Sequence, residues 1–266
     1  MNWNDYEYST SDGLPVTLID FIRSGTLHYR YTNADQDIYI NGEKWEAAAI
    51  SVPGVRIGSG DPLDITIPAD SQVAALFRGA SPSLKVRIMR MHADDESQEM
   101  KTIWRGAVHE TKWENINSIK LITYSIASVF SRNGIRLTWG RPCPYSLYDK
   151  NCRLNPADYA VHCVIDSLDG ASVNITSGVN NGWFSGGFIE WVTDGITERR
   201  GLKLHNGNNI GVIGGTFGLE AGMSVVIYPG CERTINVCHS KFNNVLNYGG
   251  QPHMPGQSPF EIAKLF

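Results

Sequence analysis

Four of the five cysteines in this chain fall into two pairs, and they are the residues best suited to chemistry. Cys143 and Cys152 are separated by eight residues, Cys231 and Cys238 by six, and 78 residues lie between the pairs. Each pair is close enough in the chain to share one metal, so the expectation is a single site built when the fold brings the pairs together. Four thiolates suit tetrahedral zinc or a four-iron cluster equally well on ligand type. Structural zinc usually sits in knuckles with about two to four residues between ligands. The wider gaps here lean toward a larger object. A cluster held by four thiolates is anionic and costly to bury without cations or N–H donors nearby. Arg141, Lys150, Arg153, Arg233 and Lys241 all lie within a few residues of a candidate ligand. Pro144 and Pro229 stiffen the ligand-bearing turns. Neither pair is a Cys-x-x-Cys, so zinc and four ordinary buried thiols both stay open. Cys163 lies in an apolar, strand-like run over 160–165 and reads as a core residue.

The elements that must position these residues fall into two halves with a seam near 135. The first, residues 1–136, reads as a β-rich domain, a small β-barrel or split barrel. Strands are expected over 14–21, 26–31, 63–67, 84–89 and 119–124, where apolar residues recur with period two or in short β-prone runs. Asn41-Gly42 marks a hairpin over 37–45, because both residues tolerate positive φ. One short helix is expected over 71–78, with Val73, Leu76 and Phe77 on a common face. The second half, residues 137–266, is richer in Gly, Asn and Pro. It reads as a loop-rich β domain organised by the cysteine site, with strands over 171–175, 188–192 and 224–228, one helix within 235–246, and an extended tail over 248–259. The fold class is thus mainly β with a few short helices.

Bulk properties exclude several functions. The chain has 266 residues, is 42% hydrophobic and 19% charged, and carries a net charge of −4 with its basic residues scattered. A nucleic-acid surface would need a basic stripe. No apolar run approaches the roughly 20 residues that span a bilayer. The first residues lack a secretory pattern, so the chain is expected to stay in the cytosol after synthesis, where thiols are kept reduced. The motifs of a catalytic centre are also missing. There is no Gly-x-Ser-x-Gly elbow and no His-Glu-x-x-His helix, and the glycines from Gly207 to Gly215 lack the dinucleotide spacing.

The residues flanking the cysteines carry a resemblance. Cys143-Pro144-Tyr145, Cys152-Arg153-Leu154-Asn155, Gly230-Cys231-Glu232-Arg233-Thr234 with Cys238, and Asn247-Tyr248-Gly249-Gly250-Gln251-Pro252-His253-Met254-Pro255-Gly256 resemble the tail-tip (hub) proteins of siphophages. That family includes the lambda minor tail protein L and the hub protein of gene transfer agents. The resemblance is strong over 139–256 and weaker before 135. It implies a non-enzymatic virion protein at the distal tip of a long non-contractile tail. It further implies a homotrimer joining the distal tail protein ring to the central fibre, without sequence-specific nucleic acid binding. It also implies a 4Fe-4S cluster ligated by Cys143, Cys152, Cys231 and Cys238 as a structural staple, with Cys163 outside the set. On this reading His253 has a packing or hydrogen-bonding role, and His239 supports the ligands from behind. Trp3, Tyr6 and Tyr8 are either an interface arm or core residues. The competing functions are an iron–sulfur redox enzyme or a cell-wall hydrolase, and the competing metal is structural zinc.

Overall fold

Leu84, Val86 and Ile88 are buried and Lys85 between them is exposed, as a half-buried strand requires. The structure is a computed structural model describing residues 3–9, 13–53, 61–79, 81–130, 134, 137, 139–193 and 195–255. The chain forms two units, Met1–Arg132 and Asn133–Phe266. Much of the expected seam, including residues 135 and 136, lies outside the described residues.

The first unit runs α1 (Trp3–Tyr8), β1 (Pro15–Arg23), β2 (Leu27–Thr32), β3 (Ile38–Ile40), β4 (Glu43–Ala47), β5 (Asp64–Pro68), α2 (Gln72–Leu76), β6 (Leu84–His92), β7 (Lys101–Trp113) and β8 (Ser118–Ser125). Its eight strands form one sheet in the order β3-β4-β2-β1-β6-β7-β8-β5. Asn41 and Gly42 take φ of 51° and 80°, the mirror-image turn that closes the β3–β4 hairpin. Past β4, Ser51 bridges Thr66 of β5, which ties the chain beside one end of the sheet to its other edge. The sheet therefore wraps around one core, in which Phe21, Ile65, Ile88, Ile119 and Leu121 are fully buried. Ser71 caps α2 by accepting from the Ala74 N–H at 3.2 Å, and Val73 and Ala74 plug the core. α1 was not expected. It is held by Trp3, whose indole N–H donates to the Arg90 carbonyl oxygen at 3.3 Å. Trp3 is thus a core residue, whereas Tyr8 is exposed.

The second unit adds β9 (Val161–Val164), β10 (Ser167–Asp169), β11 (Ser172–Asn174), β12 (Phe188–Thr193), β13 (Ile196–Asn206), β14 (Asn209–Val212), β15 (Ser224–Tyr228) and α3 (Ile235–Phe242). The sheet order is β10-β11-β14-β13-β12-β15-β9. Only two residues separate β9 from β10. The Ile165 N–H donates to Met223, and the Asp166 N–H to Asn174, so one stretch of chain pairs with both ends of the sheet. The sheet closes on itself around Ile165, Ile175, Phe184, Ile189, Ile210 and Ile227. This corrects the expected fold class at one point. The mainly β character with few helices holds, but the second unit is organised by its own apolar core and not by an iron–sulfur site. Among the described residues, no group of three or more His, Cys, Asp or Glu is placed to hold a metal ion. No helix among them is long and apolar enough to cross a membrane.

α3 is shorter than the span expected for it. Asn243 at φ 48° ends it, and the Asn244 N–H reaches back to the Cys238 carbonyl oxygen at 3.0 Å in a Schellman-type cap. The expected tail turns at Met254, whose N–H donates to Gln251, and its residues 256–259 lie outside the described residues.

Candidate functional site

Cys143, Cys152, Cys231 and Cys238 line one cavity of about 170 Å³ in the second unit. Two irregular stretches, 139–160 and 229–255, supply most of its wall. Cys143 and Cys152 come from the first, Cys231 follows β15, and Cys238 lies on α3. Backbone bonds bring these stretches together. The Cys143 N–H donates to the Arg233 carbonyl oxygen at 2.9 Å, and the Gln251 N–H to Gly140 at 2.8 Å. The Tyr248 hydroxyl donates to the Arg141 carbonyl oxygen at 2.7 Å, with the Arg233 carbonyl oxygen a second acceptor at 3.1 Å.

Two glycines are required by close approach. A Cβ on Gly250 would overlap the Arg141 carbonyl oxygen and lie 2.8 Å from Pro142, and one on Gly249 would collide with the Tyr145 ring. The Tyr-Gly-Gly sequence thus lets the returning chain lie directly on the Cys143 turn.

Each cysteine turn has its own support. The Asp149 carboxylate accepts from the N–H groups of Cys152 at 2.6 Å, Asn151 at 2.8 Å and Ser146 at 3.1 Å. Burial pushes this carboxyl up, but the three donors outweigh it and hold Asp149 below the usual carboxylate range. The Arg233 N–H points at Cys231 Sγ at 3.4 Å. Asn244 Nδ2 donates to the Cys152 carbonyl oxygen at 2.7 Å and lies 3.8 Å from its Sγ. Lys241 donates to the carbonyl oxygens of Gly230 and Trp183, fastening α3 to the chain beside β12. An aromatic row continues into the barrel: Phe242 meets Tyr159 at 5.3 Å, Tyr159 meets Tyr148 at 6.2 Å, and Tyr148 stands edge-on to the stacked pair Phe188–Tyr228.

Two of the four thiols, Cys231 and Cys238, are shifted upward. Burial pushes the Cys231 thiol up, the neighbouring Cys152 and Cys143 add to this, and the Arg233 N–H opposes it. Burial also pushes Cys238 up, joined by Cys231, Cys143 and Cys152. The geometry overturns the expected 4Fe-4S cluster and its zinc alternative: the thiols wall a shared cavity, yet no three ligand-type side chains among the described residues converge on a point that could hold an ion. Of the five cations expected to offset an anionic cluster, only Arg233 lines the cavity.

Three other expectations can be placed. His239 and His253 are exposed and do not line the cavity. Cys163 is partly buried against the barrel core, its Sγ 3.8 Å from the Val161 carbonyl oxygen. Burial raises its thiol, with Asp166 adding to the effect. Sequence reasoning missed Asp149, and it placed Asn244 and Tyr248 in the motif beside the cysteines without assigning them a role.

The N-terminal part of the chain matches a family model over residues 14–155, that of the baseplate hub protein, N-terminal attachment domain. The chain belongs to this family of baseplate hub proteins. Residues 182–258 match a second model, described as phage conserved hypothetical protein BR0599. No curated protein matches the chain. Its fold is similar to that of a chain in a structure titled the virion of a native gene transfer agent (GTA) particle. The two are 18% identical, the match covers 98% of this chain and 94% of that one, and the TM-score is 0.74. The hub is accordingly a structural phage tail protein. The match to the attachment domain includes Cys143 and Cys152, while the second match includes Cys231 and Cys238.

Proposed function

We propose that this hub protein sits at the distal tip of a long tail as a homotrimer, joining the distal tail protein ring to the central fibre, and that it has no catalytic role. The observation that supports this most is the attachment-domain match over residues 14–155. The similarity of nearly the whole chain to one from a GTA virion is consistent with it. In this reading the first unit is the attachment barrel, and Cys143, Cys152, Cys231 and Cys238 form the structural site of the second. Their cavity lies where two irregular stretches are fastened to each other and to the barrel, and the site acts by holding that junction. Deleting the coding sequence from the phage and complementing it in trans tests the role. A hub is required for complete tails, so the deletion should leave heads with absent or defective tails, and complementation should restore them. A normal yield of infectious tailed particles without the protein contradicts the proposal.

A further inference from the structure

Unit 1 carries two grooves of opposite charge at opposite ends of one strand pair. In the antiparallel β1–β6 pair, Ile22 lies across from Lys85 at one end and Pro15 across from His92 at the other. Those ends are roughly 23 Å apart at about 3.3 Å per residue. The groove at the first end, about 390 Å³, is lined by the apolar Ile22, Ala107 and Ile126 and by the cationic Lys85, Arg87 and Arg105. Arg87 is paired with the buried Asp20 at 2.7 Å. Lys85 and Arg105 are exposed, and among the described residues no carboxylate pairs with either. Ile126 is 58% exposed beside them.

At the second end, the turn after β6 carries Asp94, Asp95 and Glu96 beside an open groove that Asp35 also lines, with no Lys or Arg among its lining residues. The side chains of Asp94 and Glu96 are exposed, and among the described residues neither is paired with a cation. The turn is held in shape from within. Asp95 accepts from the Ser97 N–H at 3.0 Å and hydroxyl at 2.7 Å, and the Tyr6 hydroxyl from α1 donates to the Asp94 carbonyl oxygen at 3.1 Å. An acidic turn held in shape from within and a cationic groove thus occur on the same barrel, at opposite ends of one strand pair.

We infer that the cationic groove receives the acidic turn of a second copy of this chain, head to tail. Unlike patches at opposite ends make a heterologous contact, and repetition of a heterologous contact generates a ring when the rotation closes. The inference rests on the hub reading, in which several copies meet at one axis, and it specifies the faces that meet. Opposite charges across the contact set partner orientation and register, while the exposed Ile126 supplies apolar area to bury.

The test uses the full chain. Wild-type protein should show a mass in sedimentation equilibrium that rises with concentration and falls as salt is raised past about 0.15 M, where the Debye length is about 8 Å. K85E/R105E and D94K/E96K should each weaken self-association by on the order of a hundredfold, since each places like charges across the contact. Mixing the two variants should restore association between unlike chains, because each then offers the other complementary faces in two of the three contacts of a three-membered ring. These residues are exposed, and matching far-UV spectra would establish that the variants fold; should a double variant not fold, R105E and E96K take its place. A monomeric wild type, unchanged association of the reversed variants, or no recovery on mixing would each overturn the inference. The hub reading is judged separately, by whether tails form without the protein.

Discussion

The side chain of Asn244 donates from Nδ2 to the carbonyl oxygen of Cys152 at 2.7 Å, joining the chain just past α3 to a turn that lies 92 residues earlier. The backbone N–H of the same residue caps α3 at Cys238, and its Oδ1 accepts from Asn247 Nδ2. One buried amide therefore fixes the position of Cys152 relative to Cys238, and the cavity depends on it.

Asn244→Ala removes the donor and leaves the Cys152 carbonyl oxygen without this partner. The expected cost is about 1–3 kcal/mol in the second unit, the range for orphaning a buried polar group. Asn244→Asp keeps the size but not the donor, and should be no better than alanine. Amide exchange of the β12–β15 ladder measures both; an unchanged exchange rate in both variants would show that the bond does not matter.

Gly250→Ala forces a Cβ against the Arg141 carbonyl oxygen and Pro142. Backbone on both sides leaves little room to relax, and a loss of about 2–3 kcal/mol is expected. Gly140 is the internal control. A Cβ there meets only Pro142 Cδ at 3.7 Å, so Gly140→Ala should stay within about 0.5 kcal/mol of wild type. Thermal melts of the two variants side by side should separate them clearly.

How much of this was legible in the sequence differs by element. The 84–89 alternation and the Asn41-Gly42 turn are local signals, and local geometry obeys them. β7 and β13 were not foreseen. β7 carries Gly106 in its interior and slips register between Val108 and Glu110, so its alternation is broken where the pattern would be read. β13 shows a polar run, Glu198-Arg199-Arg200, and slips between Leu202 and His205. Closure of the second barrel depends on β9 and β10 sharing one stretch of chain, a non-local fact that no window contains. The gathering of four cysteines was legible from their flanking residues, but ligand geometry was not. Sequence spacing sets which thiols can meet, whereas convergence on a point depends on backbone directions set by Asp149, Asn244 and the glycines at 249 and 250.

His205 makes the second unit sensitive to acid. It is buried, its Nδ1 accepts from the Phe184 N–H at 3.4 Å, and its Nε2 has no hydrogen-bond partner. Burial pushes its pKa below the ordinary 6.5; a backbone hydrogen bond with Gly207 opposes this, and Lys241 pushes the same way as burial. The unfolded chain then binds a proton near pH 6.5 that the folded chain refuses. The neutral ring's contribution is therefore present above that pH and lost as pH falls through it toward the lower folded value. Protection of β13 and β14 amides should decline below pH 6.5 in wild type and decline less in His205→Gln. Equal slopes in both would assign the acid sensitivity elsewhere.

Trp3 anchors α1. Its ring is 4% exposed and sits beneath Lys101 Nζ at 4.3 Å, while Glu7 pairs with Arg90 at 2.6 Å and His92 at 3.1 Å. Trp3→Ala should cost roughly 3 kcal/mol and free α1 to exchange and to be cleaved. Limited proteolysis followed by mass analysis reads this directly, with cleavage expected within the first 14 residues of the variant before any cut in β1 or β6. A variant as resistant as wild type would mean that other contacts, those of Asn4, Tyr6 and Glu7 among them, suffice to hold α1.

The most direct test of the hub assignment is an electron cryo-microscopy map of the intact particle, into which the two barrels can be fitted. Three copies of this chain are expected around the axis at the distal end of the tail, between the last tail ring and the central fibre. Density for the chain elsewhere in the particle, in another copy number at the tip, or nowhere in it, would contradict the account.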